Sequence, residues 1–154
     1  MQREISRLKK EKTDLENVDQ DADNPVFNKY TDLYAMAYHI FALLMNGSSP
    51  FASMANMEAI SQHPSKNVSS IDIDQFHAAE KGEFVFVRHF LFKKAPEYAP
   101  KYKMLSQELR KLFERAFIEG AKNPKVRPEA KEFYDALTEY LESLEECHCG
   151  HYGH

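Results

Sequence analysis

The sequence predicts a mainly α-helical fold, with one central buried helix, further helices packed around it and a helical arm at the N-terminus. Three observations carry that expectation. Residues 31–51, "TDLYAMAYHIFALLMNGSSPF", are apolar on nearly every side for about four turns, whereas an amphipathic surface helix keeps a polar face. The stretches "SQELRKLFERAFIEG" and "PEAKEFYDALTEYLESL" each repeat apolar residues at helical spacing. Strand signals are confined to one short run, "FVFVRHFLF".

Taken in order, residues 1–26 form the arm and an acidic linker, residues 27–146 a helical domain, and residues 147–154 a Cys/His-rich tail. In the arm, "QREISRLKKEKTDLEN" places Ile5, Leu8 and Leu15 at near-heptad spacing. Lys12 takes the core position between them, which argues for a charged helix docking three apolar residues on its own domain. The linker "VDQDADNPVFN" carries Asn24-Pro25, an extended or turning dipeptide. Thr31 is placed to cap the buried helix, and Gly47 follows its end. Residues 52–70 are polar and Ser-rich, with a short helix inside a loop. "IDIDQFHAAEKGEF" reads as a helix closed by Gly82. "FVFVRHFLF" alternates like a strand, although continuous burial fits it equally. Pro96 and Pro100 mark a loop. Ser106 caps the next helix, which aligns Leu105, Leu109, Leu112, Ala116 and Phe117 and ends at Gly120. The last helix opens at Pro128 and turns Phe133, Leu137, Tyr140, Leu141 and Leu144 inward.

Composition narrows the function classes. The 154 residues fit one domain plus an arm, and eleven Phe with eight Tyr supply a core. A net charge of −4 gives no electrostatic reason to expect nucleic acid. The longest apolar run is too short and too interrupted to span a membrane. The N-terminus lacks the apolar core of a signal peptide, and Cys147 and Cys149 are the only cysteines, so a reducing cytoplasm is the expected location.

The opening stretch resembles the central helix of the large lobe of eukaryotic-type protein kinases, which starts at Ser/Thr-Asp, runs apolar to a Gly and exits at Pro-Phe. "LRKLFERAFIEGAKNPKVRPEAKEFYDAL" resembles the last two helices of that lobe, where an Arg-Pro pair opens the final helix. Between them, "FHAAEKGEF" falls where kinases carry their next helix. The nearest likeness is to bacterial serine/threonine kinase-like proteins whose kinase domain runs into a Cys-rich segment. It covers roughly residues 27–150, two motifs in order being far more specific than either alone. The resemblance implies two structural anchors. Asp32 would accept hydrogen bonds from a catalytic-loop backbone, and Arg127 would pair with the Glu of an Ala-Pro-Glu motif.

Phosphoryl transfer needs a nucleotide cradle, a phosphate-pairing Lys, a catalytic Asp and metal-holding side chains. In kinases these precede the helix at residue 31. The thirty residues before it here contain no Gly, and no His-Arg-Asp or Asp-Phe-Gly occurs anywhere. Catalysis and ATP binding by this chain alone are therefore not expected. Ala95-Pro96-Glu97 spells the missing motif far past its family position, and reads as a chance match whose Glu97 could meet Arg127 locally. Asp72 and Asp74 read as cap or surface residues.

The tail "ECHCGHYGH" gathers Cys147, His148, Cys149, His151 and His154. Thiolate and imidazole are the usual zinc ligands, so zinc is the one cofactor raised, with Cys147, Cys149, His151 and His154 as candidate ligands. Against it, Cys-x-Cys is tighter than the usual spacing, and a frayed polar terminus explains the same residues. His39, His63, His77 and His89 show no ligand spacing.

Three functions follow. The first is a non-catalytic, pseudokinase-like protein acting through protein–protein contact or self-association as a dimer. Its interaction face would be Met36, Ile40, Phe41 and Leu44, uncovered by the missing catalytic loop and closed by Ile5, Leu8 and Leu15 of the arm, by a second copy, or by another protein. The second is the C-terminal part of a serine/threonine kinase whose catalytic motifs lie upstream or on another chain. The third is a small zinc-binding helical interaction module.

Overall fold

The computed structural model describes residues 28–146 together with 152 and 153. Helix α1 spans Lys29–Leu44, α2 Met57–Ser61 and α3 Gln75–Lys81. Helix α4, Gln107–Glu114, continues through a π-helical turn at Arg115–Glu119 into a last turn at Gly120–Lys122. Helix α5 spans Ala130–Glu142. Extended structure among the described residues is limited to two short antiparallel ladders. β1 (Met54–Ala55) pairs with β2 (Lys93–Lys94), and β3 (Glu145–Glu146) with β4 (Tyr152–Gly153). The mainly α expectation holds.

Asn28, not Thr31, caps α1: its side-chain oxygen accepts from the N–H groups of Tyr30 and Thr31 at 2.9 and 3.2 Å. Thr31 therefore lies inside the first turn. The helix stops where Asn46 and Gly47 both take positive φ, 53° and 78°, and Gly47 N–H donates to Ala42 O at 2.7 Å. Gly47 is there for its backbone angle, since a Cβ would meet nothing within 4 Å.

α1 is buried along one stripe and not all round, contrary to the sequence reading. Leu33, Ala37, Phe41 and Met45, at i,i+4 spacing, enter the core. Phe41 is fully enclosed, its ring 5.2 to 5.8 Å from those of Phe84, Phe86, Phe113 and Phe117 in edge-on contacts. Such pairs add about 0.5–1.5 kcal/mol each beyond burial, so this ring cluster dominates cohesion. Asp32, Ala35 and His39 face outward. The helix reads as apolar because Ala and Leu occupy exposed positions, not because every side is covered.

Helix α4 supplies the opposing wall. Ser106 caps it, accepting from Leu109 N–H, and Leu109, Leu112, Phe113, Ala116 and Phe117 are buried. Gly120 does not end it. The chain stays helical to Lys122, and the glycine serves a close approach: a Cβ there would sit 2.7 Å from Arg127 Cγ. Helix α5 begins two residues later than Pro128 suggested, where the Glu132 carboxylate accepts from Glu129 N–H at 2.9 Å and Glu132 N–H donates to Glu129 O at 3.1 Å. Its inward stripe is centred on Phe133 and Ala136, with Leu137 and Tyr140 half-buried. Leu141, about 100° round from Tyr140, points to solvent at 66% exposure, correcting its inward assignment.

Helix α3 is capped by Asp74, whose carboxylate accepts from Phe76 and His77 N–H at 2.8 and 3.0 Å. Gly82, φ 61°, closes it. "FVFVRHFLF" forms turns instead of a strand. Phe84 and Phe86 insert into the ring cluster while Val87 and Leu91 are left exposed, so the alternation records two anchored aromatics within a loop.

Candidate functional site

Two surface features that can act as a site lie on the flanks of α1. On one flank Met36, Ile40 and Leu44 are half-buried beside Leu43, which is 84% exposed. Positions 36, 40, 43 and 44 recur at helical spacing and form one apolar strip. Of the residues expected on this face, Met36, Ile40 and Leu44 lie on it, whereas Phe41 belongs to the core. Leu43 replaces it as the exposed member. The arm residues Ile5, Leu8 and Leu15 lie outside the described residues.

The other flank carries Tyr34 and Tyr38, which line a cleft of about 640 Å³ with Ser49, Phe51, Ile73 and Phe76. The cleft runs between α1, the turn after it and the start of α3. Phe76, 82% exposed, stands at its lip. Sequence reasoning missed this cleft. The available signal was an aromatic residue on α3 two positions from the inward-facing Ala78. Two of its polar groups are engaged locally: Asp74 caps α3, and Ser49 Oγ accepts from Phe51 N–H at 3.2 Å. Burial raises the Tyr34 hydroxyl to about 12, partly offset by the nearby Arg127 charge, so the phenol stays neutral. The cleft's lining is mostly aromatic and aliphatic, so it is suited to receiving an apolar group.

Arg127 joins the elements that frame the cleft. Its guanidinium donates to Tyr30 O at 2.7 Å and, through Nε and Nη2, to Gly120 O at 3.2 and 3.0 Å. The same group lies 4.8 Å from the centre of the Tyr34 ring. Burial lowers its pKa, without threatening the charge of an arginine. Among the described residues its partners are carbonyls and a ring face, not a carboxylate. Glu97 instead pairs with Lys94 at 2.7 Å, so the expected local Glu97–Arg127 contact does not form. Asp32 is exposed in the first turn of α1, where its charge favours the helix N-terminus.

No three His, Cys, Asp or Glu side chains gather in metal-binding geometry among the described residues. Cys147, Cys149, His151 and His154 lie outside them. None of the described helices is long and apolar enough to cross a membrane. The chain matches no known protein family, no curated protein and no solved structure.

Proposed function

We propose that this chain is a non-catalytic, kinase-like binding unit, built on the C-terminal part of a large lobe and working through protein–protein contact. The observation that supports it best is the apolar strip on α1, where Leu43 is 84% exposed beside Met36, Ile40 and Leu44. Apolar area removed from water contributes about 25 cal/mol per Å², so covering a few such side chains supplies several kcal/mol. The order of α1, α3, α4 and α5, with Arg127 reaching from the start of α5 back to α1, supports the kinase-like reading. The occupant of the strip is a second copy of the chain. Helical spacing on a single helix can meet its own copy about a two-fold axis, each contact then occurring twice.

Light scattering across a concentration series, with Leu43→Glu and Ile40→Glu beside the parent chain, tests this. A concentration-dependent dimer that the two variants abolish is expected. A folded monomer at every concentration would overturn self-association. Titration with Mg-ATP tests the non-catalytic part: no saturable binding is expected, and saturable binding would overturn it.

The exposed carboxylate of Asp32 favours a second reading. In it, the chain is the C-terminal part of a serine/threonine kinase, and a catalytic half on the same or another chain occupies both Asp32 and the strip. Coding sequence upstream of Met1 containing a Gly-rich loop and a His-Arg-Asp triplet would support this reading, and its absence would count against it.

A further inference from the structure

The segment between α3 and α4 departs from the charge of the rest of the molecule. From Val85 to Met104 it carries five Lys and Arg against one carboxylate, Glu97, in a chain of net charge −4. Two of these cations are neutralised locally, Lys93 by Glu83 at 2.5 Å and Lys94 by Glu97 at 2.7 Å. Arg88, Lys101 and Lys103 are exposed and have no ion-pair partner among the described residues.

The fold brings these three cations to neighbouring loops. The Phe86 ring lies 6.1 Å from that of Tyr102, so the stretch leading to Arg88 runs beside the turn that holds Lys101 and Lys103. Tyr102 is itself fixed, donating its hydroxyl proton to Arg110 O at 3.0 Å. Apolar side chains of the same segment also break the surface: Val87, Leu91 and Met104 are each exposed. At its far end Leu91 borders a groove of about 240 Å³, shared with Phe90, Phe92, Lys66 and Lys93. Lys66 and Lys93 stand over the Phe92 and Phe90 rings, at 5.7 and 5.4 Å from their centres. Asp72 also lines the groove, but Lys81 and His77 lie within 3.8 and 3.5 Å of its carboxylate.

We propose that this strip, from Lys101 and Lys103 past Arg88 to the groove at Leu91, docks an acidic peptide segment that carries apolar side chains. Charge complementarity selects the occupant: free cations alternating with exposed apolar groups match carboxylates alternating with apolar residues. An anionic membrane surface fits less well. Recognition of that kind relies on clusters of about four to eight basic residues, and here the free cations are fewer and interspersed with side chains of the fold. Nucleic acid fits less well again, because among the described residues no broad basic face accompanies the strip. The proposal does not depend on kinase-like ancestry or on self-association.

Fluorescence anisotropy of a labelled peptide alternating Glu or Asp with Leu or Phe tests it, using the full chain. Saturable binding is expected, weakened at least tenfold in a variant carrying Arg88→Glu, Lys101→Glu and Lys103→Glu, and weakened by raising salt. These side chains are exposed, so the variant keeps its far-ultraviolet circular dichroism. A second variant, Leu91→Ser, lowers affinity without changing the salt response. No binding, or binding indifferent to charge reversal, would overturn the proposal. Binding to phosphatidylserine vesicles without binding to the peptide would overturn it in favour of a membrane.

Discussion

Gly120 and Arg127 offer a direct test of what holds the helical body together. A glycine inside a helix ordinarily costs about 1 kcal/mol relative to alanine, so Gly120→Ala should stabilise if helix propensity were all that mattered. A Cβ at this position, however, would sit 2.7 Å from Arg127 Cγ and 3.2 Å from Nε. It would push the guanidinium off Gly120 O and Tyr30 O and away from the Tyr34 ring. Hydrogen bonds to a charged donor contribute about 1.5–3 kcal/mol each and a partly desolvated cation–π contact about 1–2, without simple additivity. Arg127→Ala should therefore cost about 2–4 kcal/mol. Gly120→Ala in the parent chain should cost about 1–2 kcal/mol, the propensity gain being outweighed by the displaced arginine. In the Arg127→Ala background the sign should reverse, to a gain of up to about 1 kcal/mol, reduced by the remaining 3.1 Å approach to Arg115 O. The coupling of about 2 kcal/mol is a shift of roughly 1 M in urea midpoint, well within reach of equilibrium unfolding. Equal effects of Gly120→Ala in both backgrounds would refute the idea that the glycine exists to admit Arg127.

Three further outcomes are expected. Phe41→Ala should cost about 3–5 kcal/mol in urea unfolding because its enclosed ring meets several others, whereas Leu43→Ala on the same helix should leave monomer stability within about 0.5 kcal/mol. Hydrogen bonding from Arg115 lowers the Glu132 pKa, so its contribution is present above the unfolded carboxylate pKa and is lost as pH falls through the folded one. Thermal melts between neutral and strongly acidic pH should show Glu132→Gln destabilised near neutrality and converging with the parent chain in acid, by only about 0.5 kcal/mol after solvent screening. Tyr34, raised by burial to about 12, contributes stability that is complete below the free phenol pKa near 10 and is lost as pH rises towards 12. Ultraviolet titration should find one late-ionising tyrosine missing from Tyr34→Phe.

What the sequence disclosed was whatever depends on local chemistry. The stripe of α4, its Ser106 cap, the Gly82 stop and the capping role of Asp74 are each fixed by neighbours within a few residues, and each was legible. Some errors were local, such as the cap at Asn28 taken as Thr31, but the larger ones come from long-range packing. Gly120 looks like a helix stop until Arg127 is seen against it. Phe84 and Phe86 look like strand residues until the ring cluster around Phe41 is assembled. Leu43 looks buried because periodicity reports hydrophobicity, and the neighbours that would cover a residue are not written in its own segment. The same limit hid the cleft beside Tyr34 and Tyr38, whose walls come from positions as distant as 34 and 76.

The way Arg127 is satisfied bears on whether this body can stand alone. The kinase likeness would assign that arginine a carboxylate on a segment earlier than α1, and a buried guanidinium robbed of such a partner would be strongly destabilising. Among the described residues, two neutral carbonyls and the face of Tyr34 take its place. A charge held only by neutral acceptors has no counter-charge whose attraction salt could screen. The Arg127→Ala penalty should accordingly be the same, within about 0.5 kcal/mol, in low salt and in 1 M sodium chloride. A penalty that shrinks substantially in salt would mean that a carboxylate holds the arginine after all, and would move the argument from a self-sufficient binding unit to a body that needs the rest of a lobe.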